Sequence, residues 1–276
     1  MWYPTEKFAT GDIVESDCWA DTVAALLETV QSWRVRPAGI VEGPQLGPEL
    51  PANVDDFTQS EVHATICKLK RKRASGPDDI PVEYWQAVCA EAEGLAWITG
   101  LCNKCWHEEQ MPEDWHSANI TTIFKKGSPE DCDNYRPISL ICVVYKLFAS
   151  LLLARLQAAG AEKRLTRTQF GFRRGCGTND AVFLVRRRID LALAQRYGQA
   201  GLVALDWKKA FDSINVESML VALGRFGLPS KILRMIRHIY EDRMFKVVHD
   251  GCKSSCRRQQ SGISQGCPLS LFLLSY

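Results

Sequence analysis

The chemistry this sequence could perform is concentrated in three short segments. Asp206 follows the apolar run Leu202-Val203-Ala204-Leu205 and heads the segment Asp206-Trp207-Lys208-Lys209-Ala210-Phe211-Asp212. A buried strand that delivers a carboxylate to its C-terminal end holds the backbone still while the acid meets solvent, which suits a divalent cation. Phosphoryl transfer by two metals needs several such carboxylates around ions about 4 Å apart. A lone Asp after four apolar residues is more often a turn or cap residue, and Asp212 reads as a cap for the segment after it. The second segment, Phe124-Lys125-Lys126-Gly127, is followed across an acidic turn by Tyr135-Arg136-Pro137-Ile138. If two strands flank that turn, Lys125 or Lys126 stands beside Arg136, and an ammonium next to a forked guanidinium suits a triphosphate. A solvated hairpin explains the same residues equally simply. The third segment is Gly262-Ile263-Ser264-Gln265-Gly266-Cys267-Pro268-Leu269-Ser270. There Gly266 permits close backbone approach, Gln265 both donates and accepts, and Pro268 can open a helix.

The elements that must position these residues can be read from periodicity. Apolar residues at helical spacing predict a helix over Thr22 to Trp33, and residues 34–56, rich in Pro and Gly, read as a linker. Thr58-Gln59-Ser60-Glu61 is a capping box opening a helix with Val62, Ile66 and Leu69 on one face, stopping near Ser75-Gly76-Pro77. A helical stretch is expected from Val82 to about Glu109, a strand over Ala118 to Phe124, a second short strand after Asn134, and a helix over Val143 to Ala158. Thr178 is placed to cap a helix running to about Arg196. Leu202 to Leu205 reads as a buried strand, helices follow at Val216–Phe226 and Pro229–Asp242, and Phe245 to Arg258 reads as a hairpin turning at Asp250-Gly251. The mixture predicts an α+β fold, with helices packed on a small, mainly antiparallel sheet.

Composition narrows the partners. With 276 residues, 46% hydrophobic and 24% charged, the chain can bury a core without disulfides or metals. Its net charge of +2 is unevenly spread: residues 1–60 hold ten acids against three bases, while residues 163–188 hold eight bases against one acid, Asp180. Lys68, Lys70, Arg71, Lys72 and Arg73 form a second basic run. Polyanion binding by the later part is the expectation, with a solvated helix face as the alternative. Eleven scattered cysteines and an opening Met1-Trp2-Tyr3-Pro4 without a basic-then-apolar pattern point to free thiols inside the cell, nuclear or cytoplasmic, rather than secretion. The most apolar stretch, Ile138 to Leu156, is interrupted by Lys146 and Arg155, so no membrane partner is expected. Cys102, Cys105 and His107 lack a second ligand pair at finger-like spacing, and no zinc is expected.

In this order the segments resemble reverse transcriptases, specifically the non-LTR, LINE-type retrotransposon branch. The resemblance begins near Phe57 and includes Gly76-Pro77-Asp78-Asp79-Ile80-Pro81, Ile120–Lys126, Asn134 to Leu140, Gln169 to Gly175 with Thr178 and Asp180, Asp206 to Asp212, and Ser264 to Ser270. It implies the fingers and partial palm of a right-hand polymerase: an N-terminal helix and linker over 1–56, a fingers-like region over 57–200, and a partial palm over 201–276. It implies RNA-templated DNA synthesis from an RNA template, a DNA primer and dNTPs, by two-metal nucleotidyl transfer with Mg2+. Asp206 matches the family's metal-binding Asp, with the Trp207 carbonyl beside it. Lys125 or Lys126 and Arg136 match the triphosphate-holding residues, Phe211 the aromatic gate against a ribose 2′-OH, and Gln265 and Gly266 the nucleotide-pocket loop. Lys68, Lys70, Arg71, Lys72, Arg73, Arg173 and Arg174 are the candidate nucleic-acid contacts.

Departures accompany the match. Asp79 stands where the family pattern has Gly, in a turn wanting positive φ, and Leu271 stands where Pro is usual. The family's Asp-Asp hairpin does not follow within these 276 residues, so this chain is expected to be inactive by itself, with Leu269, Leu271, Phe272, Leu273, Leu274 and Tyr276 short of cover. The rival readings are a non-catalytic nucleic-acid-binding remnant, a decayed element copy, and a group II intron-type reverse transcriptase. Oligomeric state is not legible.

Overall fold

A computed structural model describes residues 20, 21, 23–25, 27, 44–207, 209–249 and 251–275 of the chain. The expected helix residues Thr22, Leu26 and 28–33, the linker residues 34–43, and Lys208, Asp250 and Tyr276 lie outside them.

The core is organised around α4 (Val143–Ala158), preceded in the chain by α1 (Gln59–Lys68), α2 (Val82–Val88) and α3 (Ala92–Glu108). Helix α4 is apolar on nearly every side, as a helix enclosed by others must be. Val143, Tyr145, Leu147, Phe148, Leu151, Leu152 and Leu156 are all buried. Helices α1 and α2 pack on it, and α3 packs on α1. The Thr58 capping box forms as expected: its hydroxyl accepts the Glu61 N–H and the Glu61 carboxylate accepts the Thr58 N–H at 2.8 Å. The single helix expected from Val82 to Glu109 is two, broken at Cys89–Glu91. Gly76 explains the close seating of the segment before α2, because a Cβ there would stand 2.4 Å from the Cys142 backbone nitrogen. Asp79 does adopt the left-handed region, at φ +54°.

A charged side chain is enclosed in this core. Arg155, with its side chain 3% exposed, donates to Glu61 at 3.0 Å and to the carbonyls of Asn53, Asp55 and Asp56 at 3.3, 2.5 and 2.8 Å. Its guanidinium also lies 4.0 Å from the centre of the Phe57 ring. Every donor direction is thereby used, which is what makes an enclosed guanidinium tolerable. The described end of the expected linker is accordingly docked rather than free: Leu50 is buried, and the Leu46 and Leu50 N–H groups bond Arg225 and Gly227 carbonyls at 2.7 Å.

The sheet is mixed. Strands β1 (Ser117–Phe124) and β2 (Tyr135–Leu140) are antiparallel with Ile123 opposite Arg136, whereas β3 (Met244–His249) runs parallel to β1 with Val247 opposite Ile120. Short strands β4 (Cys252–Lys253) and β5 (Arg257–Arg258) pair with β3 in antiparallel fashion. The parallel pair is the departure from a purely antiparallel expectation, since the chain returns to β1 from the far side through helices. Ile120, Phe245 and Val247 form a small second core with Ala20, Val23, Ala24 and Leu27.

Between β2 and β3 the chain adds α5 (Thr178–Leu193), α6 (Val216–Phe226) and α7 (Ser230–Tyr240). Helices α6 and α7 pack on each other, and Leu223, Ile232, Met235 and Ile236 are fully buried in the main core. Gly177, not Thr178, precedes the first turn of α5, and its N–H donates to the Asp180 carboxylate at 2.7 Å. Asn215, not Asp212, caps α6, accepting the Ser218 N–H at 2.9 Å.

Two further expectations fail. Leu202 to Leu205 does not form a strand; Leu202, Val203 and Leu205 are 69%, 81% and 86% exposed. Apolarity specifies a buried strand only when another strand supplies its ladder, and the described sheet has no member beside this run. The final segment, in contrast, is covered. Helix α8 (Pro268–Leu273) folds back on α4 and buries Leu269, Phe272 and Leu273, leaving Leu271 exposed.

Candidate active site

A cleft of about 750 Å³ opens where β1, β2, the segment after Asp206 and the loop before α8 meet. It is lined by Thr122, Lys125, Arg136, Phe172, Asp206, Trp207, Lys209, Phe211, Asp212, Gln265 and Gly266, with Val23 and Leu27 at its edge. The antiparallel register places Arg136 opposite Ile123, and the ladder continues to Lys125, whose N–H bonds the Asn134 carbonyl at 2.8 Å. Lys125 therefore stands near Arg136 in the lining, and Lys126 is not among the lining residues. Of the two lysines left open by the sequence, Lys125 is the one that lines the cleft.

The loop before α8 is bolted to its neighbours by its backbone. The Gln265 carbonyl accepts the Ser139 N–H at 2.8 Å, the Ile263 N–H donates to Phe211 at 2.8 Å, and the Gly262 N–H donates to Ile214 at 2.7 Å. Gly266, at φ +152°, has no room for a side chain: a Cβ would stand 2.2 Å from the Ser139 carbonyl oxygen. Below the loop, buried Arg243 donates to the Ser264 hydroxyl, and the Tyr145 phenol donates to Cys267 Sγ at 3.5 Å. Burial pushes the phenols of Tyr145 and Tyr240 well above their ordinary range, so both stay protonated. Phe211 is half-buried, and its ring meets that of Phe172 edge-on at 6.5 Å.

Asp206 reaches the cleft from an irregular segment rather than from the end of a strand, and Trp207 beside it is 78% exposed. Asp206 and Asp212 share the lining, but no group of three or more His, Cys, Asp or Glu converges among the described residues. A two-ion clamp needs more carboxylates than the cleft gathers there.

The basic candidates lie elsewhere. Lys68, Lys70, Arg71, Lys72 and Arg73 are exposed around the end of α1, with Arg71 donating to Gln86 at 2.6 Å and Lys72 at φ +55°. Arg173 donates to the Thr166 carbonyl at 3.2 Å, and Arg174 is exposed. None of these lines the cleft. Cys102 and Cys105 face the core of α3, where burial raises the Cys105 thiol to about 11 and Cys102 further still. His107 pairs instead with Asp56 at 2.9 Å. Sequence reasoning passed over Lys209, Thr122, Phe172 and the edge residues Val23 and Leu27. For Lys209 the signal was available, because it lies between Asp206 and Phe211 on the same short turn.

Comparison with known proteins gives the family of the chain. The model of the reverse transcriptase (RNA-dependent DNA polymerase) family matches residues 123–276. The RNA-directed DNA polymerase from mobile element jockey of Drosophila funebris is 31% identical over 230 residues, which is 82% of this chain and 24% of the relative. A probable RNA-directed DNA polymerase from transposon BS of Drosophila melanogaster is 28% identical over 217 residues, 78% of this chain and 24% of the relative. The Pol polyprotein from type-1 retrotransposable element R2 of Popillia japonica is 31% identical over 166 residues, 60% of this chain and 23% of the relative. The chain thus spans about a quarter of the length of the curated relatives it matches. With the family model covering more than half of its residues and relatives of this kind along most of its length, the chain belongs to the reverse transcriptase family, on its non-LTR retrotransposon branch.

Proposed function

We propose that the cleft is the deoxynucleoside triphosphate site of an RNA-templated DNA polymerase, and that this chain supplies the nucleotide- and template-holding part of that reaction. One observation carries the reading. Lys125, Arg136, Asp206, Phe211, Gln265 and Gly266, spread over the chain from β1 to α8, line a single cleft. Lys125 and Arg136 supply an ammonium and a guanidinium for phosphate oxygens. Gln265 and Gly266 offer a held backbone edge to the base or sugar, and Phe211 limits bulk at the ribose. Reverse transcriptases generally depend on Mg2+ and act on an RNA template, a primer and dNTPs. Asp206, with the Trp207 carbonyl, is the position through which Mg2+ would be held, and it supplies only part of a two-ion donor set. Lys68, Lys70, Arg71, Lys72, Arg73, Arg173 and Arg174 are proposed as phosphate contacts for template and primer, and their share of the affinity falls as salt rises.

The test is equilibrium binding of dATP and of ATP to the full chain with Mg2+, by calorimetry. Arg136→Ala is expected to weaken dATP by about tenfold or more, a charge-assisted contact being worth roughly 1.5–3 kcal/mol. Phe211→Val is expected to narrow the gap between dATP and ATP. Failure of dATP to bind at all would reject the reading. Primer extension by this chain alone, abolished by Asp206→Ala, would show a complete catalytic centre and correct the expectation of inactivity.

A further inference from the structure

We propose that Lys209 is a further ligand of the triphosphate, and that Asp133 holds it in place until the triphosphate arrives; this rests on the nucleotide-site reading above. Lys209 lines the cleft with Lys125 and Arg136. Its ammonium lies 2.8 Å from the Asp133 carboxylate, with side chains 21% and 46% exposed respectively. Asp133 belongs to the turn that joins β1 to β2, between the lining residues Cys132 and Tyr135, whereas Lys209 belongs to the turn after Asp206, so the ion pair ties together two segments that border the cleft. The Asp133 carbonyl also accepts from the Lys125 ammonium at 3.4 Å. One residue of one turn therefore engages two of the cleft cations.

The geometry of Lys209 is specific. Its backbone lies in the left-handed region at φ +51°, which a residue with a Cβ adopts only where its surroundings demand it. Its carbonyl is held by the Ser213 N–H at 3.1 Å. The turn so fixed sets a flexible four-carbon stem in the cleft lining, and that stem lets the ammonium exchange partners without backbone movement. A partly exposed ammonium–carboxylate pair is weak and exchangeable. A triphosphate brings several charged oxygens, and its bonds to an ammonium are of the strong, charge-assisted kind. Asp133 thus acts as a stand-in anion: it orients Lys209 and competes with the incoming phosphates.

Two single substitutions separate this from a fixed latch between the turns. Lys209→Met and Asp133→Asn break the same ion pair, so a latch requires both to shift binding in the same direction. A phosphate ligand with a stand-in carboxylate requires opposite signs. We expect calorimetric titration of the full chain with dATP and Mg2+ to show about a tenfold loss for Lys209→Met and about a threefold gain for Asp133→Asn. Inorganic tripolyphosphate, titrated in parallel, is expected to show the same ratios because Lys209 would contact phosphate rather than base. If Lys209→Met does not fold, Lys209→Gln carries that arm. Equal signs, no gain for Asp133→Asn, or an effect on dATP without one on tripolyphosphate would each overturn the proposal. Absence of dATP binding by the unaltered chain, or indifference to Arg136→Ala, would instead bring down the nucleotide-site reading and this inference with it.

Discussion

The two walls of the cleft are made differently. On one side, Gln265 and Gly266 are held by three backbone hydrogen bonds to β2 and to the turn 211–214, with a glycine pressed against the Ser139 carbonyl. On the other, Asp206 and Trp207 end a run whose Leu202, Val203 and Leu205 side chains are mostly in solvent. Both walls lie within the stretch that matches the family. The difference lies in who supplies the partner groups: the Gln265 loop finds them within β2 and the Phe211 turn, whereas the Leu202 run has none beside it among the described strands. A site residue is as well placed as the backbone behind it, and hydrophobicity alone does not place a backbone.

Substitutions should reproduce this contrast in graded form. The largest effect is expected behind the ordered wall, in the core that carries β1 and β2. Arg155→Ala removes the donors of Glu61 and of three carbonyls, and loss of one partner of a buried pair costs about 3–5 kcal/mol. Chemical denaturation measures it; a loss under about 1 kcal/mol would mean that water replaces the guanidinium. Next comes Gly266→Ala, for which an overpacked contact costs about 1–3 kcal/mol. Because the new Cβ displaces the very loop that lines the cleft, dATP affinity should fall with the melting temperature.

A smaller effect concerns acid. Burial by itself raises the Glu61 carboxyl, but the Arg155 guanidinium and the Thr58 N–H outweigh it and hold the group below its ordinary value. A carboxylate depressed in the folded state adds stability that is present above its unfolded value of about 4.3 and is lost as pH falls through the lower folded value. Stability curves of the chain and of Glu61→Gln should therefore converge below that window; parallel curves throughout would contradict the assignment. The smallest effect belongs to the other wall. Leu205→Asp, at a position 86% exposed, is expected to change stability by under about 0.5 kcal/mol. In hydrogen exchange the amides of 202–207 should be the least protected of the cleft. A loss of about 2 kcal/mol or more, or slow exchange there, would mean that the run is paired after all.

Much of this molecule was legible before its structure. Local rules succeeded where the partner was nearby: the Thr58 capping box, the strand pair bearing Lys125 and Arg136, and the helices at Val216 and after Pro229 all formed as periodicity implied. Asp79 occupies the positive-φ turn that its family position wants. What could not be read depended on distant groups. The break at Cys89–Glu91, the parallel pairing of β1 with β3, and the docking of Leu50 are set by tertiary packing. The same holds for the cover that α8 finds on α4. Within the site, residue types and order named most of the residues that line the cleft, whereas the presence of Lys125 rather than Lys126 in that lining depended on the strand register, and the ion pair of Lys209 with Asp133 depended on the tertiary fold.

The Arg155 clamp has a bearing on the order in which the chain can assume its shape. Its acceptors at residues 53–61 emerge from the ribosome first, and the guanidinium that gathers them lies 94 positions beyond Glu61. At synthesis rates of about 5–20 residues per second, that interval is roughly 5–20 seconds. For that time α1 has its own capping box but no partner for the carbonyls that precede it. Emergence of α4 is therefore the event that converts a nascent local helix into a long-range anchor.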